Sequence, residues 1–300
     1  MNGHCIVVRE LLMAVSKPNQ RLKRDHLLLA RREAIIHSQL CHPNVLPFWG
    51  LYQEDEGSVP HSIFPFVERG SLEDLLANFE PGQMMQLSDL IEILVGTARG
   101  VSYLHSRKPP VIHGDIHPGN ILIGETGSPL LCDFGRSRIR HEVSRKSERE
   151  EGGRARFLAP ELSGGQTDQF SPTQESDVFA LAMTFLNAWS GEPPFPGIKN
   201  ALQVSAALSI GERPTRPAFS VPLDPASNND FWALLVDMWA QETAKRPSSN
   251  KVLKRVEGIF GQWQDLPSET VAPLVPFLDP GPELAFHWVF FLTDHWLCGV

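Results

Sequence analysis

Tyrosine, cysteine and clustered positive charge are scarce in this 300-residue chain, which has two tyrosines, four cysteines and no long basic block. Cys5, Cys41, Cys132 and Cys298 show neither paired nor metal-ligand spacing, which argues against a disulfide scaffold or a zinc site. No charged segment followed by an apolar core, the pattern of a secretory signal, comes after Met1. A reducing, cytoplasmic setting is therefore the expectation. The net charge of -8 is spread along the sequence, so neither nucleic acid nor an anionic membrane finds a docking patch. Long apolar runs are missing as well. The most apolar stretch, ELAFHWVFFLTDHWLCGV at the C-terminus, is interrupted by His287, Asp294 and His295 and falls short of the roughly 20 residues a bilayer needs. Membrane insertion is not expected. The length and ordinary hydrophobic content suit one large core or two closely packed lobes.

The first third has the pattern of strands around a single helix. Cys5 to Leu11 is a β-branched run, and Leu22 to Leu40 is a charged stretch rich in Leu, Ala and Ile. The turn Cys41-His42-Pro43-Asn44 should end that helix, because a residue before proline is biased away from the α region. Val45 to Tyr52 and Ser62 to Val67 are expected strands joined by the polar EDEGSVP turn. After Gly70 the period changes. Leu90, Ile91, Leu94, Ala98, Val101 and Leu104 recur at three- and four-residue intervals, as do Val178, Leu181, Ala182, Phe185, Leu186 and Trp189. Two further helices are expected around Phe231 to Met238 and Val252 to Ile259. The expected organisation is a small strand-rich lobe over 1–69, a larger helical lobe over 70–263 and a tail over 264–300 that fits neither.

Chemistry concentrates between the two strong helices. His113 to Asn120 reads HGDIHPGN, which spaces Asp115 and Asn120 along one tight loop, and the apolar run ending at Cys132 delivers Asp133 into a turn that Gly135 lets bend. Asp115, Asn120 and Asp133 form a hard-oxygen set suited to Mg²⁺ carrying a nucleoside triphosphate.

Several motifs, in order, resemble those of protein kinases between about Ile6 and Phe260. His113-Gly114-Asp115 with Asn120 resembles the catalytic loop, Asp133-Phe134-Gly135 the DFG turn and Ala159-Pro160-Glu161 the APE motif. His42-Pro43-Asn44, Asp177, Gly191 to Phe195 and Lys245-Arg246-Pro247 resemble further family landmarks, and RARFLAPEL is closest to the tyrosine-kinase-like group, including its fungal members. The resemblance implies an α+β, bilobal fold with a truncated β-rich N-lobe and a mainly helical C-lobe. It also implies ATP and Mg²⁺ as cofactors and a protein substrate or scaffolded protein partner. Asp115 would orient the acceptor hydroxyl, and Asn120 and Asp133 would hold the metal. Leu122 would lie under the adenine, with Phe64 as gatekeeper before the hinge residues Pro65, Phe66 and Val67. Glu161 would pair with Arg246.

Five departures qualify that reading. No G-x-G-x-x-G occurs, because the sequence opens near the family's third strand. Arg9 stands where the ATP-contacting lysine belongs, facing Glu33 as its helix partner, and a planar guanidinium is not a substitute for a point charge. Gly114 replaces an arginine, and His117 replaces the lysine expected two residues after the catalytic aspartate, while Arg154 stands where a threonine is usual. Three functional readings stay open: a kinase acting on Ser/Thr or Tyr hydroxyls, a pseudokinase scaffold, and a small-molecule phosphotransferase of the aminoglycoside or choline type, whose loop resembles HGDIHPGN. A misplaced start at Met1 would also account for the absent glycine loop. Ser144 and Ser147, among alternating charges, are phosphosite candidates against a plainer reading as solvated surface. His37 and His113 read as packing residues.

Overall fold

The computed structural model describes residues 6–9, 20–53, 60–79, 85–139, 154–163, 171–217 and 224–261, with the side chains of 6–9, 20–27, 29 and 138–139 left out. All of them belong to one compact unit, 1–264. The C-terminal tail, Ser144, Ser147 and the Arg9 side chain lie outside the described residues.

Strand β1 (Ile6–Arg9) is β-branched at three of its positions and pairs antiparallel with β3 (His61–Pro65), which also pairs with β2 (Gly50–Tyr52) to give the order β1-β3-β2. Strand β3 buries Ser62 and Phe64 and leaves the alternate positions half-exposed, as expected of a sheet covered on one face. Helix α1 (Gln20–His37) supplies that cover, and the small Ala34 packs in a cluster with Leu46, Phe48 and Phe64. The strand expected over Val45 to Tyr52 is shorter. Only Gly50–Tyr52 joins the sheet, because Asn44 and Leu46 instead give their backbone groups to Leu131, and Val45 makes an isolated bridge there.

The helical part begins with α2 (Leu72–Ala77), closed by a capping box in which the Ser71 hydroxyl accepts from the Asp74 amide and Asp74 accepts from the Ser71 amide. Helix α3 (Leu87–Ser106) carries the apolar stripe expected of it, with Leu90, Leu94, Ala98, Val101 and Leu104 all essentially inaccessible. Gly96 and Gly100 matter because a Cβ at either would lie 2.6–2.8 Å from Pro129, Asn44 or Leu131. Bare backbone here lets the chain after α1 press against α3.

Four short strands follow: β4 (Val111–Ile112), β5 (Ile121–Ile123), β6 (Pro129–Leu131) and β7 (Arg138–Ile139). β5 and β6 form a hairpin with Ile121 opposite Leu131, and β4 pairs with β7. After α4 (Pro160–Ser163) comes α5 (Gln174–Ser190), capped by Thr173 and ended by Gly191 at φ +72°. Every residue of α5 from Ser176 to Trp189 is buried, which makes it the centre of the core. Helices α6 (Ala201–Ser209), α7 (Pro225–Met238) and α8 (Ser249–Phe260) complete the layer, and Phe231 joins Trp189 (ring centroids 4.8 Å) to Phe260 (5.3 Å). Among the described residues no helix is long and apolar enough to cross a membrane.

The pairing of Glu161 with Arg246 is present. Arg246 Nη1 and Nη2 donate to the two Glu161 carboxylate oxygens at 2.6 and 2.8 Å, and Nε and Nη1 also reach the Ala240 and Glu175 carbonyls. The guanidinium lies over the Phe179 ring at 5.0 Å.

Candidate active site

The β5–β6 register brings the metal-ligand candidates together. Ile121 opposes Leu131, so the residues flanking this open end of the hairpin, Asn120 and Cys132, are neighbours, and the Cys132 amide donates to the Asn120 carbonyl at 3.0 Å. Asp133 is the next residue. Its backbone is left-handed (φ 62°, ψ 75°), a conformation costly for a non-glycine, and its Oδ1 accepts from the Gly135 amide at 3.2 Å to cap the 3-10 turn Phe134–Arg136. That turn drives Phe134 fully into the core.

Asp115 sits in the loop between β4 and β5, and its surroundings are asymmetric. Asn120 Nδ2 donates to the Asp115 carbonyl at 2.9 Å and to Oδ2 at 3.3 Å. Arg154 Nη1 and Arg136 Nε approach the same Oδ2 at 3.3 and 3.7 Å. One carboxylate oxygen is thus anchored by an amide and two guanidinium groups. The Asn120 amide turns its nitrogen, not its oxygen, to Asp115.

The loop itself hangs on α5. Both oxygens of Asp177 accept backbone N–H groups, His113 at Oδ2 and Gly114 at Oδ1, each at 2.8 Å, and His105 Nε2 adds a contact of 2.9 Å. Gly114 takes φ +77°, where a Cβ would meet the Arg136 carbonyl and Pro172 at 3.1 Å. This conformation explains glycine where the resemblance expects arginine. His113 is fully buried, donates from Nε2 to the Cys132 carbonyl and accepts the Asp115 amide at Nδ1.

On the α1 side, Glu33 and His37 are one helical turn apart and face the same way. Glu33 is 4% exposed, and a Cβ on Gly135 would stand 3.5 Å from its Oε2. His37 packs against Phe134 (4.4 Å), Phe64 (5.2 Å) and Phe48 (5.5 Å) and donates from Nε2 to the Leu46 carbonyl at 2.7 Å. A column of rings therefore runs His113, Phe134, His37, Phe48, with the Asp177 carboxylate on the His113 backbone amide. Phe64, Val67 and Leu122 fall in one apolar cluster with Leu130 and Cys132. Of Arg9 only the backbone is described, opposite Ser62.

His117 caps the 3-10 turn Pro118–Asn120, accepting the Gly119 amide at Nδ1, 3.1 Å. A Cβ on Gly119 would come within 2.9 Å of the His117 ring. Burial lowers the His117 pKa from its ordinary value near 6.5 to about 4; Arg154 and His113 push the same way, and Asp115 and Asp133 push back. Between these values the unfolded chain binds a proton that the folded chain does not, so stability falls as pH falls from about 6.5 towards 4. Without Mg²⁺, the urea-unfolding free energy should drop between pH 7 and pH 5 by about 2 kcal/mol more in the wild type than in His117→Asn. Equal drops in both chains would refute this assignment.

The protein kinase domain family matches residues 7–256, most of the chain. The chain belongs to the protein kinase family. Similar curated proteins include the probable serine/threonine-protein kinase drkD of Dictyostelium discoideum, 28% identical over 252 residues, covering 84% of this chain and 18% of that relative. The serine/threonine-protein kinase TNNI3K of Mus musculus is 32% identical over 259 residues, covering 85% of this chain and 29% of the relative, and its Homo sapiens counterpart is 31% identical. The chain thus spans less than a third of the length of these relatives. Its mixture of small sheets and predominant helices is the α+β kinase fold, and the family uses ATP as cosubstrate, with Mg²⁺ typical of it.

The donor set fits that metal. An amide oxygen one residue before β5 and a carboxylate two residues after β6 are hard ligands of the kind Mg²⁺ takes alongside phosphate oxygens. Sequence reasoning had no means to find Arg136 beside Asp115. It singled out Arg154 only as an unusual residue type.

Proposed function

We propose that this chain transfers the γ-phosphoryl group of Mg²⁺-ATP to a serine or threonine hydroxyl of a protein. The observation carrying this reading is the hairpin end that pairs Asn120 with Cys132, the residue before Asp133, while the Asn120 amide holds Asp115. The site, once loaded with Mg²⁺, would gain positive charge against the charge developing in transfer. Asn120 and Asp133 would hold the ion, and Asp115 would accept the hydroxyl hydrogen bond at Oδ1. The Phe64, Val67 and Leu122 cluster would seat the adenine, and Glu33 would stand behind the Asp133 turn with Arg9 as its partner. The serine/threonine names of the relatives support the acceptor type. The motifs after Gly135 favour a protein over a small molecule. A cytoplasmic site of action rests on the cysteine pattern alone.

A scaffolding role without turnover is the competing reading, and Arg9 in the expected lysine position favours it. Mg²⁺-ATP at ten times its Kd should add about 1.4 kcal/mol to the folded state, a rise of a few degrees in Tm. The rise should need Mg²⁺ and vanish in Asp133→Ala. A well-folded wild type with no rise would defeat the nucleotide reading, and a rise without phosphate transfer to protein would favour the scaffold.

A further inference from the structure

We propose that Arg154 supplies the fixed positive charge of the phosphoryl-transfer site, in place of the catalytic-loop cation that His117 does not provide. The inference rests on the kinase reading above and adds a residue from a distant stretch of chain to its machinery.

Three observations support it. A cavity opens beside the loop, and Asp115, His117 and Arg154 all line it, together with Gly114, Phe157 and Leu162. Arg136, the other cation on Asp115, does not line that cavity. Among the described residues Arg154 is thus the one arginine or lysine that lines this cavity beside Asp115. Second, His117 is committed locally: its Nδ1 holds the Gly119 amide and its Nε2 is buried without a hydrogen-bond partner. It carries no fixed charge to the cavity. Third, the backbone that carries Arg154 is held in place. It belongs to the 3-10 turn Arg154–Arg156, and Arg156 at the end of the turn donates to the carbonyls of Pro194, Phe195 and Ile198.

Charge geometry decides between help and obstruction. Arg154 meets Asp115 at Oδ2, the oxygen already engaged by Asn120 and Arg136, so Oδ1 stays available to an acceptor hydroxyl. Arg154 has five N–H donors in its guanidinium, one nitrogen of which lies 3.3 Å from Asp115 Oδ2. Those that remain can reach phosphate oxygens as charge shifts towards them in transfer, the placement in which a preorganised cation lowers the barrier most. The γ-phosphorus to bridging-oxygen bond breaks and a bond from that phosphorus to the acceptor oxygen forms. The hydroxyl proton passes to Asp115 Oδ1. Arg154 exchanges neither atoms nor protons.

The test uses the full chain, Mg²⁺-ATP and dephosphorylated casein as acceptor. Arg154→Ala should lower kcat about 100-fold while the KM for ATP and the Mg²⁺-ATP rise in Tm stay as in the wild type. Arg154→Lys should keep a substantial part of the rate. The double variant Arg154→Ala, His117→Lys should recover most of what Arg154→Ala loses, because the charge returns to the same cavity from the loop. An unchanged or faster Arg154→Ala chain overturns the proposal and makes the contact with Asp115 a latch. A loss confined to KM, or a double variant no better than the single, overturns it as well. A wild type that binds Mg²⁺-ATP without turnover fails the kinase reading and takes this proposal with it, whereas an active wild type matched by Arg154→Ala sinks this proposal alone.

Discussion

Replacing Asp115 by Asn should cut phosphate transfer by about 10²- to 10⁴-fold, the range a positioned general base contributes. Folding should barely change. The substitution keeps the shape of the side chain and the backbone carbonyl that receives Asn120 Nδ2, and it releases two cations whose side chains are 28% and 40% exposed. Partly exposed ion pairs of that kind are worth at most about 1 kcal/mol. The Mg²⁺-ATP increase in Tm should survive, since Asn120 and Asp133 are intact. Transfer kinetics and thermal shift measured on one preparation therefore separate chemistry from binding. A variant that keeps more than a tenth of the wild-type rate would remove Asp115 from the reacting centre.

Arg246→Ala should cost about 3 to 5 kcal/mol of stability, because it leaves the carboxylate of Glu161 and two carbonyls without their donor. The guanidinium side chain is wholly inaccessible, while Glu161 is 27% exposed and recovers some hydration. For a domain of this size that corresponds to a fall in Tm of roughly 10 °C. Arg246→Lys should not rescue it, since an ammonium cannot fork to both Glu161 oxygens, reach Ala240 and lie flat on Phe179 at once. Urea titration of the three chains measures the difference directly. A loss below 1 kcal/mol in Arg246→Ala would mean that the segments around Glu161 and Ala240 are held by other contacts.

The long helices were legible because their apolar periods are long. α3 and α5 repeat a buried stripe over about four and about three turns, and the structure buries every residue of those stripes. α2 and α6 were not legible, since six and nine residues give too few periods to stand out. The expected strand over Val45 to Tyr52 failed for a tertiary reason: Asn44 and Leu46 bond to Leu131, 85 or more residues away, and no local pattern encodes that preference. Asp115, Asn120 and Asp133 could be picked out by residue type and order. The two guanidinium groups on Asp115 could not, because Arg136 and Arg154 meet it only after the chain has folded around β7 and α4. His37 was read as a packing residue, and it is one. Its position between three phenylalanine rings, one of them Phe134, gives that packing a functional neighbour.

The clasp of Asn44 and Leu46 on β6 also sets a mechanical ratio. Because those hydrogen bonds fix the chain just after α1, any tilt of that helix is a rotation about a fulcrum near Leu40. At 1.5 Å per residue Gln20 stands about 30 Å from the fulcrum, Glu33 about 10 Å and His37 about 4.5 Å. A tilt of about 10° then moves the three by roughly 5, 2 and 0.8 Å. Glu33 would leave the Gly135 turn while His37 stayed in contact with Phe134. A force on the outer end of α1 is thus geared down into a carboxylate displacement that can uncouple the turn without opening the aromatic core.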